Sequence, residues 1–121
     1  NKHSVIENSA ILNSACGAFD SLQTFTTNNV TNTIKSFISH DWWTIGLDHE
    51  ANTTIDVIIR KMRVKDKLIF VFGSEGKGIR RLIKKNCNFI AGIPNEPYTQ
   101  SINVSNAAAI VFYEAFKMKN T

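Results

Sequence analysis

Two cysteines, two prolines and six glycines are all that 121 residues hold of the residue types that most often staple, stop or bend a chain. Cys16 and Cys87 lie far apart, with neither a CxxC spacing nor a histidine at ligand distance. That pattern excludes a disulfide framework, argues against a zinc site, and leaves two reduced, buried thiols. His3, His40 and His49 form no nucleophile or metal pattern, and no metal is expected. No apolar run approaches the ~18 residues a membrane span needs, and no basic segment followed by an apolar stretch opens the chain. The expected setting is therefore soluble and cytoplasmic. Three N-x-S/T triplets, at Asn29, Asn52 and Asn103, are coincidences of an Asn- and Thr-rich composition. Repeats, low-complexity tracts and linkers are also lacking, so one core and one domain are expected over 1–121. Acid is in slight deficit: 14 Lys and Arg face 10 Asp and Glu, and the pI is about 9.2. That excess favours an anionic partner and raises the weight of nucleic acid modestly.

What is present is an alternation of two hydrophobic periods. Ile6, Ala10, Ile11, Ala15 and Ala18 recur at helical spacing, and the β-branched stretch from Leu22 to Thr27 predicts a short strand. Val30, Ile34, Phe37 and Ile38 predict an amphipathic helix capped by Asn28 or Asn29. Trp42 to Leu47 predicts a strand, residues 48–54 a polar loop, and Ile55 to Ile59 an apolar patch of either type. Leu68 to Phe72 shows no alternation, as expected of a strand covered on both faces. A helix is expected from Lys77 to Lys85, with Ile79, Leu82 and Ile83 inward and Arg80, Arg81, Lys84 and Lys85 outward. Phe89 to Ile93 predicts a buried strand stopped by Pro94 and Pro97. A long Ala-rich helix from Val104 to Met118 closes the chain. The fold class is α/β, with a mostly parallel sheet flanked by helices.

Half of the glycines fall within "FVFGSEGKGIRRL", where a buried strand turns into a basic amphipathic segment. A strand, a glycine turn and a helix commonly bind anions through main-chain N–H groups. Gly73, Gly76 and Gly78 nevertheless fit neither G-x-x-x-x-G-K-[ST] nor G-x-G-x-x-G. Glu75 at the centre would oppose a phosphate, so the turn suits a ligand offering hydroxyls, amines or a positive centre. A tight turn with a solvated Glu75 would explain the same letters. In parallel sheets the loops at the carboxyl ends of strands share one crevice. The loop from Ile93 through Ser101 and Asn103 is therefore expected beside the glycine turn. Capping accounts for Ser101 or Asn103 singly, but not for both together with the close-packed Ala-rich turn that follows.

"FVFGSEGKGIRRL" and "AGIP...QSINVSNAAAIVFYEA" resemble the second and third signature motifs of the SpoU (TrmH-like) RNA ribose 2'-O-methyltransferases, of the SPOUT class. "SACGAFDSLQTF...NVTNTIKSF...WWTIGLDHEA" resembles the segment between that family's motifs. The G-x-E-G-x-G-I-R-R-L wording is most similar to bacterial enzymes that methylate a guanosine ribose in large-subunit ribosomal RNA. The resemblance implies an α/β trefoil knot, S-adenosylmethionine as cofactor, an RNA substrate (ribosomal before transfer RNA), and a homodimer formed partly by C-terminal helices. It implies cofactor contacts at Phe72, Gly73, Gly76, Ile93, Pro94, Ser101, Ile102 and Asn103. Glu75 and Asn103 fall on its polar active-site positions; Arg80 and Arg81 repeat its wording and, with Lys84 of the same basic run, make the candidate RNA footprint.

One departure qualifies what the resemblance implies. The family's first motif, Asn-x-[Gly/Ser]-Ala-x-x-Arg, supplies the arginine thought to act as base, and it is absent. "ENSAILNS" at residues 7–14 places Asn13 where Arg would stand. The chain is thus expected to be the C-terminal portion of a SpoU domain with the opening part missing, able to hold cofactor and poor at methyl transfer. Two alternatives stay open: a non-catalytic cofactor- or RNA-binding remnant, and an ordinary α/β nucleotide-binding module. The basic residues around Arg60 to Lys67 and Arg80 to Lys85 fit RNA and a solvated surface about equally. Trp42 and Trp43 fit strand packing better than base stacking.

Overall fold

The computed structural model describes residues 23–74, 78–94 and 103–120. Helix α1 (Val30–Ser39) starts where Asn29 accepts the Asn32 N–H at 3.0 Å. That bond supplies one of the partners a first helical turn lacks. The helix ends at His40, and Asp41 turns back with φ 68°, a left-handed geometry that Asp tolerates better than branched residues do. Strand β1 (Trp42–Leu47) follows, then α2 (Ile55–Arg60), β2 (Lys67–Val71), α3 (Arg81–Asn86), β3 (Phe89–Ala91) and α4 (Val104–Lys119).

The three strands form one parallel sheet in the order β2-β1-β3, with Ile45 opposite Phe70 on one side and Phe89 on the other. Successive side chains of the central strand point to opposite faces. Ile45 and Leu47 enter the main core with Ile55, Ile58 and Ile59 of α2, Ala91 of β3 and Val111 of α4. Gly46 faces the other way, where Ile79, Ile90 and Cys87 crowd in: a Cβ there would lie 2.9 Å from Ile90 Cδ1, 3.0 Å from Ile79 Cδ1 and 3.2 Å from Cys87 Sγ. Helices α1 and α3 pack together, with α1 against β1, while α2 packs on α4. Both faces of β1 are thus covered, as expected for a parallel sheet.

Thr44 is fully buried and joins β1 to the start of β3 without a strand pair. Its N–H and hydroxyl both donate to Asn88 Oδ1, at 2.8 and 3.0 Å, and Asn88 N–H donates back to Thr44 Oγ1 at 2.9 Å. A buried hydroxyl needs such partners, because leaving one unmade costs about 1–3 kcal/mol.

Several expectations need correction. Residues 23–29 form no strand, and Phe25 is 82% exposed; β-branched composition without a neighbour to pair with does not make one. The helix expected from Lys77 starts only at Arg81. Gly78 takes φ 71° and Arg80 is extended, with ψ 148°, and neither geometry continues a helix. The late start rotates Leu82 outward, where it is 60% exposed, while Ile79 is buried as expected. The ambiguous patch at 55–59 is helical, and β3 closes at Ala91 rather than Ile93. Cys87 is a free, half-buried thiol donating to the Ile83 carbonyl, and burial pushes its pKa up. Cys16 and the helix expected over residues 6–18 lie outside the described residues.

Candidate ligand site at the strand ends

All three strands run the same way, so the loops after Leu47, Val71 and Ala91 emerge at one edge of the sheet. Phe72 and Ile93, which follow β2 and β3, are half-buried and pack against the same core cluster from either side of β1. Phe72 also meets Phe112 of α4 edge-on, with centroids 6.4 Å apart. These two predicted residues are therefore brought to one apolar floor. Asn103 begins α4, its side chain accepting the Ser105 N–H at 2.8 Å. Pro94 is exposed. Glu75, Gly76, Ser101 and Ile102 lie outside the described residues.

The glycine turn closes on itself. Gly78 N–H donates to the Ser74 carbonyl at 3.1 Å, and the two residues form an isolated antiparallel bridge. Gly73 sits directly on the returning strand of the turn, where a Cβ would fall 1.9 Å from the Gly78 carbonyl carbon. Residue 73 must therefore be glycine, as a consequence of close approach rather than of φ. At the neighbouring loop, Gly92 donates to the Thr53 carbonyl and accepts from Ile55 N–H, both at 2.8 Å, which ties the 48–54 loop to the end of β3.

Sequence reasoning missed the residue at the centre of this edge, Asp48. It is only 7% exposed, and its Oδ2 lies 2.6 Å from Lys84 Nζ. Oδ1 accepts the Glu50 N–H at 2.9 Å. Burial raises the carboxyl pKa. The Lys84 and Glu50 hydrogen bonds and the charges of Lys84 and His49 outweigh that effect and hold it below the usual carboxylate value. The same hydrogen bond raises the Lys84 pKa. Lys84, expected to face outward toward RNA, is thus already engaged. Arg80 and Arg81 are exposed at the start of α3. Asp48, His49 and Glu50 can bring one donor atom each within 4.8 Å of one another, but Lys84 and the Glu50 N–H already occupy both oxygens of Asp48. The one sequence signal for Asp48 is its position: an acid immediately after an apolar strand, with a lysine-rich helix to follow.

S-adenosylmethionine brings amines, hydroxyls and a sulfonium, and no phosphate. The described rim fits such a group. Phe72 and Ile93 offer apolar walls. The carboxylate of Asp48 lies 3.9 Å from where a Gly78 Cβ would stand and is neutralised by Lys84, so that pair adds no net charge to the rim.

A parallel sheet with helices on both faces and two glycine-bearing loops at its carboxyl edge defines an α/β domain of the kind whose ligands sit at that edge. Residues 1–113 match the SpoU rRNA Methylase family. The 23S rRNA (guanosine-2'-O-)-methyltransferase RlmB of Bordetella pertussis is 30% identical over 112 residues, covering 93% of this chain and 44% of that protein. A crystal structure of an RNA 2'-O ribose methyltransferase superposes with a TM-score of 0.81 at 18% identity, over 98% of this chain and 44% of the other. The SpoU methyltransferase AviRb of Streptomyces viridochromogenes, in complex with AdoMet, gives 0.76 at 18% identity, over 94% and 46%. The chain belongs to the SpoU rRNA methylase family and shares its fold. It spans about half the length of the curated relatives it matches.

Proposed function

We propose that this chain is the cofactor-holding portion of an S-adenosylmethionine-dependent methyltransferase that modifies a ribose 2'-hydroxyl of ribosomal RNA. The observation that carries this reading is the meeting of Phe72 and Ile93 on one apolar cluster at the carboxyl edge of the sheet, beside a glycine turn folded tightly on itself. When bound, the cofactor supplies the methyl group. Phe72, Gly73, Ile93 and Pro94, with Gly76, Ser101 and Ile102, hold it. Glu75 and Asn103 orient the reacting groups. Holding nucleophile and methyl carbon in line provides most of the acceleration in such a transfer, and a base must remove the hydroxyl proton. Arg80 and Arg81 make the phosphate contacts, because Lys84 is committed to Asp48.

Exposed Ile110, Phe112, Tyr113 and Phe116 on α4 support a homodimer, since apolar surface of this extent usually marks an interface. The trefoil knot that the family resemblance implies belongs to the same reading. No helix among the described residues is long and apolar enough to cross a membrane. We place the activity in the cytoplasm. A second reading, cofactor binding without turnover, is favoured by one fact: residues 1–121 contain no Asn-x-[Gly/Ser]-Ala-x-x-Arg.

Calorimetric titration of the protein with S-adenosylmethionine and with ATP tests the site; binding of the former alone is expected, and binding of ATP alone would refute it. Methyl transfer to ribosomal RNA then separates the two readings. The 121-residue chain by itself is expected to show no multiple turnover.

A further inference from the structure

Among the described residues, Asp48 is the one charged side chain that is buried. Burying a carboxylate is costly unless it is paired, and an apolar pair would join a strand to a helix at least as well. What a carboxylate adds is direction. Its contacts reach α3, the Gly78 end of the glycine turn and the loop after β3, three of the segments that border the proposed cofactor cleft. Through Lys84 Nζ at 2.6 Å it is tied to α3, the helix that the glycine turn leads into. Oδ2 would stand 3.9 Å from a Cβ on Gly78, whose carbonyl presses on Gly73. Its own N–H donates to the Ala91 carbonyl at 3.0 Å. Its own carbonyl accepts from Ala51 N–H at 3.1 Å and lies 3.2 Å from where a Gly92 Cβ would be. Two other ionisable groups bear on the pair: His49 Nδ1 stands 3.7 Å from Oδ1, and Glu50 adds its charge to the field on Lys84.

We infer that Asp48 is a positioning residue of the cofactor pocket. Its carboxylate anchors the glycine turn through Lys84, and its main chain anchors the loop after β3, so that the two walls of the cleft keep one spacing. This rests on the proposed S-adenosylmethionine site and deepens it. Asp48 touches no reacting atom. It acts through where it holds Gly73, Gly78 and Gly92. Asn at position 48 keeps the shape and the acceptor for Glu50 N–H but loses the charge. Met at 84 keeps the aliphatic stem and loses the ammonium.

The test compares Asp48→Asn, Lys84→Met, Lys84→Arg and the Asp48→Asn/Lys84→Met double variant in the whole protein. The readouts are S-adenosylmethionine affinity by calorimetry and amide exchange at Gly73, Gly78 and Ile79 against Ile45 and Ala91. Each of the first two changes is expected to weaken affinity about tenfold, the size typical of lost support behind a site. Exchange should quicken at the turn and not at the core positions. The double variant should be no worse than either single, because one interaction is removed once. Lys84→Arg, which keeps the pair, should restore affinity to within about twofold. Unchanged affinity and exchange would overturn the inference, as would protection lost equally at the turn and at Ile45 and Ala91. Wild-type protein that binds no S-adenosylmethionine would sink the methyltransferase reading instead. The exchange pattern would then still decide whether Asp48 orders the turn.

Discussion

The carboxyl edge of the sheet and the outer face of α4 are opposites in how the chain treats them. At the edge, polar and charged groups are drawn in and matched: Asp48 to Lys84, Gly92 to Thr53 and Ile55, Gly78 to Ser74. On α4, Phe112, Tyr113 and Phe116 are left 56–60% exposed while Ala107 and Val111 alone are buried. Evaluated by free energy, both are unusual. Closing polar groups inside a protein carries a desolvation cost, and leaving aromatics in water forgoes about 25 cal/mol for each Å² not buried. The difference teaches where the described residues place their polar pairing: it is concentrated at the proposed ligand edge, while the aromatics of α4 stay more than half exposed on the face proposed for a partner.

The most severe way to break this contrast is Gly73→Ala. A methyl at 1.9 Å from the Gly78 carbonyl carbon cannot be relieved by a side-chain rotation, because the nearest atoms it meets there all belong to the Gly78–Ile79 peptide group. Overpacking of this kind costs about 3 kcal/mol. Urea denaturation should register that loss, and cofactor binding should disappear with it. A milder test is acid. Asp48 has its pKa lowered in the folded state, so its contribution is present above the unfolded value of about 4 and is lost as pH falls through the folded value. Stability measured by denaturant midpoint should therefore fall on acidification more steeply in the wild type than in Asp48→Asn. The difference should be below about 1 kcal/mol, because Lys84 is more than a third exposed and its charge is screened. The smallest effect on folding should come from Phe116→Ser, within about 0.5 kcal/mol in stability. Sedimentation should nevertheless show the proposed dimer weakened. A Phe116→Ser protein that sediments like the wild type would assign that face to a different partner.

How much of this was legible in the sequence follows from how local each feature is. The bounds of β1, the Asn29 cap and the long closing helix rest on period and capping within a few residues, and they agree with the structure. Local signal failed where geometry overrode composition. Thr24, Phe25, Thr26 and Thr27 have strand chemistry but form no strand in the fold. Ile79 and Leu82 look equivalent on a helical wheel, yet the left-handed Gly78 delays the helix until only one of them faces inward. The apolar pair of the candidate site, Phe72 and Ile93, could be named because the family wording assigns cofactor contacts there; the strands themselves close earlier, at Val71 and Ala91. Asp48 could not, because its role depends on Gly78, Lys84 and Gly92, which are remote in the chain and reach it only through the parallel sheet. Glu75, Gly76, Ser101 and Ile102 remain expectations carried by the family wording.

The bare backbone at Gly46 has a consequence beyond packing. Because the middle strand carries no side chain there, Ile79 and Cys87 descend onto the sheet from the two ends of one short helix. Bulk introduced at either contact, by mutation of Gly46 or by a reagent attached to the sulfur of Cys87, would lift that helix like a wedge under a lever. The far end of the lever is the proposed ligand rim, so a change made under the sheet would be felt at the strand ends above it.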